Sequence, residues 1–380
     1  MDGRGRLCFF APFLYPIAAG GKVEFAGGTE VRQWALAREL GGRGFDVSIA
    51  TCDFGQEPRV VEDGVTLLRT FAIDAGARGL RFVYPRLWKS MGTLLRADAD
   101  VYIANGSGIA AGWAHEAARL RRSRFVFLGA SDGDAVPSLP WLSSRRDRWW
   151  YLRALRGADA RVAQTEVQQR LFSENFRVET TVIPNPVELP PSAVDVAANT
   201  TILWLSTYKP GKRPEWFVEL ARRLPNLSFV MVGFNPADQA EASWEPALRA
   251  AAELDNLEVL GFVDHARVGD FLRRTALFVH TSPAEGFPMT LLEAWAVGIP
   301  SVSGVDPGGV VARHGLGEVV DSLDELVEAV SGLMESPERR AELGRRARSY
   351  VEQHHGPEQT YAPLAELLDR VIGARRRGMP

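Results

Sequence analysis

Short apolar runs recur along the chain, and each is followed by a stretch of glycine, serine or proline and then by an amphipathic run. Residues 7–10, 46–50, 101–104, 125–128, 160–163 and 181–183 have the length and content of buried strands, as do 201–205, 227–232, 257–260 and 276–279. Helical patterns fall among them at 31–40, 80–96, 108–121 and 215–223, and later at 323–334, 337–352 and 358–372. Strands alternating with helices predict parallel βαβ units in doubly wound α/β sheets. Such sheets gather ligands outside the carboxyl ends of their strands, so chemistry is expected in the loops that follow the apolar runs.

A chain of 380 residues is too long for one ordinary core and suits two domains. Residues 190–199 are proline-rich and then small and polar, as a linker is. The predicted spans are 1–190 for the first domain, 191–199 for the linker, 200–356 for the second domain and 357–380 for a last helix. A formal net charge of -3 gives no global basic excess, so nucleic acid is not an expected partner. Cys8 and Cys52 stand at strand ends without metal-ligand spacing, which fits two reduced buried thiols in a cytoplasmic protein. Arg4 and Arg6 ahead of an apolar run imitate a signal peptide, but Pro12, Pro16 and the glycines beyond break it, and residues 7–10 serve as a first strand. No stretch is long and apolar enough to span a bilayer.

The densest cluster of informative residues is 280–300, HTSPAEGFPMTLLEAWAVGIP. It reads as strand, loop and helix start, with Pro288 as the first helical residue, where its missing N–H costs nothing. The amides of Met289 and Thr290 and the positive end of the helix suit an anion such as a phosphate. Glu285 in the loop and Glu293 in the helix can converge on one ligand, and two carboxylates beside an anion site fit hydroxyl groups such as those of a sugar and a ribose. Taken alone, the same pair also fits a surface loop residue and a solvated helix carboxylate.

Glu285, Gly286, Phe287 and Glu293, followed by Ala294, Ala296, Gly298 and Pro300, resemble the E-G-F-P-x-x-x-L-E-A-x-A-x-G-x-P signature of retaining glycosyltransferases of family 4. The resemblance implies the GT-B fold, two Rossmann-like doubly wound domains facing across a cleft, with the last helix crossing back to the first domain. It implies a donor site built from Gly27, Gly28, Thr207, Lys212, Phe262, Val263, Glu285, Gly286, Phe287, Pro288, Met289, Thr290 and Glu293. Gly27 and Gly28, preferred over Gly20 and Gly21 because Glu30 follows, match the G-G-x-E element, whose amides face the donor diphosphate. Lys212 matches the lysine of G-R-x-x-x-x-K, although Thr207 replaces its arginine. The segment 260–263 is similar to the element that meets the nucleobase, and 306–309 to the glycine-rich loop bounding the pocket.

The implied reaction moves a sugar from a nucleotide-diphosphate sugar to a glycan, lipid-linked or small-molecule acceptor, with Lys212 and Glu285 as the catalytic residues. No metal site and no cofactor are expected. Asn105, Ser131, Asp132 and Asp134 follow strand ends of the first domain and are the acceptor-side candidates. Asn105 stands where relatives carry a histidine. That departure and Thr207 keep two other readings open, a nucleotide-sugar epimerase of the same fold and a noncatalytic nucleotide-sugar-binding partner.

Residues 143–156 predict a helix in which Arg145, Arg146, Arg153 and Arg156 surround Trp149 while Trp150, Ala154 and Leu155 face a core. One tryptophan among arginines fits docking on an anionic membrane surface at the inner face of the cell membrane, and equally fits an arginine stacked on the ring within the protein.

Overall fold

The computed structural model describes residues 4–20, 27–77, 79–208, 210–234 and 245–377. The chain divides into two compact units. The first holds 28–186, the N-terminal strand and the helix from Pro357; the second holds 187–356.

Among the described residues, the first unit has strands β1 (Arg6–Phe10), β2 (Asp46–Asp53), β3 (Arg59–Glu62), β4 (Val65–Ala72), β5 (Val101–Asn105), β6 (Arg124–Leu128), β7 (Ala160–Ala163) and β8 (Thr181–Val182), in the order β3-β4-β2-β1-β5-β6-β7-β8. All pairs are parallel except β3 with β4. That hairpin lies outside the alternation the sequence predicts. Its signal is the Asp63-Gly64 pair, both at positive φ, which closes a two-residue turn.

Side chains alternate across this sheet. Leu7, Phe9, Val101 and Ile103 enter one core, which the helix Pro357–Arg377 covers with Tyr361, Leu364, Leu368 and Ile372. Cys8, Phe10, Tyr102 and Ala104 enter the opposite core with Phe125 and Phe127. Both thiols are buried and free, and burial pushes each up to about 12, so they are inert packing groups.

The second unit has β9 (Thr201–Thr207), β10 (Ser228–Phe234), β11 (Leu257–Leu260), β12 (Thr275–His280), β13 (Ser301–Ser303) and β14 (Gly317–Val319), parallel throughout in the order β11-β10-β9-β12-β13-β14. Chain direction across the sheet reverses at β9, so the carboxyl ends of β9 and β12 lie side by side at a topological switch point.

Residues 187–199, which include the predicted linker 191–199, pack into this unit. Val187 and Val196 are buried in its core, Arg340 donates to Val196 O at 3.3 Å, and Arg348 donates to Pro190 O at 2.8 Å. The glycine of the signature has a backbone reason as well. Gly298 turns the chain at φ +81°, and Gly344 of the helix Pro337–His354 packs so close to Gly298 O that a side chain at position 344 would collide with it.

Candidate active site

In the second unit the two loops leaving β9 and β12 meet. Lys212 ends a short 3₁₀ turn before the helix Pro214–Arg223, and its ammonium donates to Glu285 Oε1 in the loop after β12. Thr281 ties the loops together, since its hydroxyl donates to Lys212 O and accepts from the buried Trp204 indole at 2.9 Å. His280, the last residue of β12, is 4% exposed, and its Nε2 lies 3.9 Å from Glu285 Oε1. Its Nδ1 has no hydrogen-bond partner among the described residues.

The electrostatics follow from this packing. Burial alone would raise the Glu285 carboxyl. Lys212 beside it, with His280 and a hydrogen bond from Ser282, overcomes that effect and holds it below its ordinary range. Burial lowers His280 to about 4, with Lys212 adding to the effect and Glu285 opposing it, so the imidazole is neutral at pH 7. The pair is thus an ionised carboxylate and a cation in a confined site, with a neutral ring beneath.

The helix of the signature runs Met289–Ala296. Pro288 is its N-cap in extended conformation rather than its first helical residue, because the chain must turn from the loop before the first helical hydrogen bond, and Leu292 N closes that bond onto Pro288 O at 3.3 Å. Met289, Thr290 and Glu293 are half-buried, while Gly286 and Pro288 are buried. The Phe287 ring belongs to the core. It packs edge-on against Trp295 at 6.0 Å and against His355 at 4.8 Å, so its contribution to a ligand would come through the backbone.

Thr207 ends β9, half-buried and in register with Phe234. Phe262 and Val263 are half-buried, and Phe262 meets Phe234 edge-on at 5.3 Å. Asp306 caps the helix Val310–His314 through Val311 N at 2.7 Å and Ala312 N at 3.3 Å, while Gly308 and Gly309 take positive φ in the turn between them.

In the first unit Gly28 opens the helix Gly28–Gly42 directly after Gly27, and Gly21 lies outside the described residues. The carboxyl ends of β5 and β6 carry a buried polar cluster. Asp134 accepts from Ser107 N at 2.9 Å, Ala130 N at 2.8 Å and Ser131 N at 3.0 Å, so it organises the loop rather than facing solvent. Asn105 Oδ1 accepts from Arg32 at 3.3 Å, and Arg32 also donates to Gly129 O at 2.7 Å. Burial lowers Arg32 to about 10 despite the nearby Asp134.

Several atoms of this cluster lack partners among the described residues, namely Arg32 Nε, Asn105 Nδ2 and Ser107 Oγ. Burial, then the Asp134 charge, pushes Asp132 up to about 6. Trp141 stands beside the loop, 59% exposed, with its indole donating to Ser131 Oγ at 3.0 Å.

His280, Arg32 and Trp141 are absent from the sequence-based candidates. For His280 the available signal is a histidine ending an apolar strand directly ahead of the signature loop. For Arg32 and Trp141 no spacing signal exists, since Arg32 acts through segments 73 and 97 residues away and Trp141 through a loop fold that brings it to Ser131. Among the described residues no group of three His, Cys, Asp or Glu side chains could hold a metal ion.

The predicted ring of arginines around Trp149 is only partly present. Arg153 lies over the Trp149 ring at 5.7 Å, but Arg146 stacks on Phe82 at 3.6 Å and pairs with Asp147, because the half-buried Phe82 ring offers it a desolvated face. Ala154 and Leu155 are buried as expected, joined by Tyr151, whose hydroxyl donates to Asp134 O at 2.7 Å.

Residues 27–186 match the glycosyl transferase 4-like domain family, and residues 196–350 match glycosyl transferases group 1. The chain is 23% identical to the D-inositol 3-phosphate glycosyltransferase of Gordonia bronchialis over 92% of this chain and 85% of that protein. Among solved structures, a sucrose-phosphate synthase from Thermosynechococcus elongatus superposes with TM-score 0.80 at 17% identity over 97% of this chain and 99% of that one. Anabaena HepE in complex with UDP and glucose does so with TM-score 0.72 at 17% identity over 95% and 98%.

Proposed function

The chain belongs to the glycosyl transferases of group 1, an enzyme of the GT-B fold whose first half is a glycosyl transferase 4-like domain, and from that premise we propose a transfer that retains anomeric configuration. The donor is a nucleotide-diphosphate sugar. HepE was solved with UDP, which favours uridine as the base. The observation that carries the reading is the Lys212–Glu285 pair beside the first turn of the signature helix.

In this proposal the bond from C1 of the donor sugar to the diphosphate oxygen breaks while the bond from the acceptor oxygen to C1 forms on the same face. The acceptor proton passes to the departing phosphate, so no protein base is needed. Negative charge grows on the diphosphate as it leaves, and Lys212 with the amides of Met289 and Thr290 opposes it. These groups carry the charge without calling for a metal or a cofactor. Donor binding draws Lys212 toward the phosphates and frees Glu285 to accept from a hydroxyl of the transferred sugar, while Glu293 accepts from the ribose.

Asn105, Ser131 and Asp132 serve the acceptor, with Asp134 holding their loop in place. The acceptor is a glycan or a lipid-linked molecule, reached from the inner face of the cell membrane through Trp149 and Arg145. Incubating the enzyme with labelled UDP-sugars and candidate acceptors tests the reading. Labelled product of retained configuration, with the donor sugar itself unisomerised, is expected; donor isomerised without acceptor would replace transfer with epimerisation.

A further inference from the structure

The first unit exposes an unusual concentration of large apolar side chains. Leu80 is 70% exposed, Val83 57%, Tyr84 63% and Trp88 73%, all within nine residues. The backbone explains how they come to face outward. Phe82–Leu87 form a π-helical stretch broken at Tyr84, which leads directly into the helix Trp88–Ala97. That break lets Phe82 turn inward against Trp113 and Pro85 bury itself, while their neighbours turn out. A soluble surface normally scatters such residues, and their clustering marks an interaction face.

Charge decides the partner. Between positions 75 and 96 the sequence carries Arg78, Arg81, Arg86, Lys89 and Arg96 and no aspartate or glutamate, in a chain whose net charge is -3. Arg81 and Lys89 are exposed beside the apolar side chains, whereas Arg86 turns inward to Ile73 O. The Arg146 guanidinium on Phe82 brings the helix Arg145–Gly157 alongside, and Arg145 and Trp149 of that helix are exposed.

We propose that residues 80–88 are the element that enters the lipid when the enzyme docks on an anionic membrane, and that the Arg145–Trp149 helix lies at the headgroups beside it. This rests on the membrane-facing reading given above and moves its apolar anchor from Trp149 to Leu80, Tyr84 and Trp88. Trp149 is 55% exposed, with Arg153 over its ring and Trp150 at 5.0 Å, and it is a single apolar side chain against the four clustered at 80–88. The 80–88 side chains supply apolar area that can leave water, tyrosine and tryptophan settle at the interface, and Arg81 and Lys89 meet lipid phosphates.

Sedimentation of the full chain with phosphatidylglycerol-containing and pure phosphatidylcholine vesicles tests this. Wild type should pellet with the anionic vesicles at low salt and stay in the supernatant with neutral ones. Tyr84→Ser with Trp88→Ser should cut the partition at least tenfold with an unchanged melting temperature. Trp149→Ala with Arg145→Glu should weaken it less. If the Tyr84/Trp88 variant binds like wild type while the Trp149/Arg145 variant does not, the anchor is misassigned and the docking stands. If wild type never pellets, docking itself fails. If light scattering shows a wild-type dimer that the Tyr84/Trp88 variant dissolves, the face is a self-association interface and the proposal is overturned.

Discussion

The Lys212 ammonium and the Glu285 carboxylate form an ion pair across 73 residues of sequence. Two loops make the contact because β9 and β12 are neighbours at the switch point of the sheet. An ion pair of partly buried groups stabilises little on its own, since desolvation offsets most of the attraction. In the proposed reaction its value lies in position, because the leaving diphosphate would take over the lysine while the carboxylate turns to a sugar hydroxyl.

Lys212→Ala should therefore damage turnover more than donor binding. A positioned cation that meets charge only in the transition state contributes on the order of a hundredfold or more in kcat. Steady-state kinetics with saturating donor reads this. A variant whose KM rises at unchanged kcat would show that the lysine binds ground state and transition state alike.

The proposed acceptor side predicts its own pH signature. Asp132 is pushed up to about 6 by burial and Asp134, so it is ionised above that value and able to accept from a hydroxyl. kcat/KM for the acceptor should fall as pH drops through about 6, and Asp132→Asn should remove that inflection. A variant profile with the same inflection would assign it elsewhere.

Stability should respond to His280 with a definite sign. Its folded value of about 4 lies below the ordinary 6.5, so between those values the unfolded chain binds the proton and the native state does not. Its contribution is complete above pH 6.5 and is lost as pH falls toward 4, by at most about 1.4 kcal/mol per pH unit. Asp132, raised from 3.8 to about 6, works in the opposite direction. Denaturant melts of wild type and His280→Gln at pH 7 and pH 5 read the histidine together with its coupling to Glu285, since groups that do not interact with it cancel in the difference. An equal loss in both proteins would remove it as the source.

Gly344→Ala should destabilise the second unit by about 1–3 kcal/mol, because the added methyl meets Gly298 O in a packed interface that has no room to yield. A melting temperature within error of wild type would contradict that packing.

Sequence carried much of this, and unevenly. The apolar runs marked the parallel strands because a strand buried on both faces has nothing else to show. The β3–β4 hairpin escaped because its strands are half-exposed and mixed in character, although Asp63-Gly64 announced the turn. Glu285 and Glu293 stand out as candidates because the signature fixes many positions in one short segment, and Lys212 because it sits in a glycine-containing loop just ahead of a helix start. Arg32, His280 and Trp141 do not, since each acquires its role from a neighbour that only folding supplies: Asn105 and Gly129 for Arg32, Glu285 for His280, Ser131 for Trp141.

Calorimetric titration of UDP and UDP-glucose into wild type, Glu293→Gln and Glu285→Gln tests the donor site most directly. Wild type should bind both ligands. Glu293→Gln should weaken both about tenfold or more, as loss of a charged hydrogen bond to the ribose requires. Glu285→Gln should weaken UDP-glucose more than UDP, because only the former carries the sugar. Equal affinities across all three proteins, or no binding by wild type to any nucleotide-diphosphate sugar, would contradict the account.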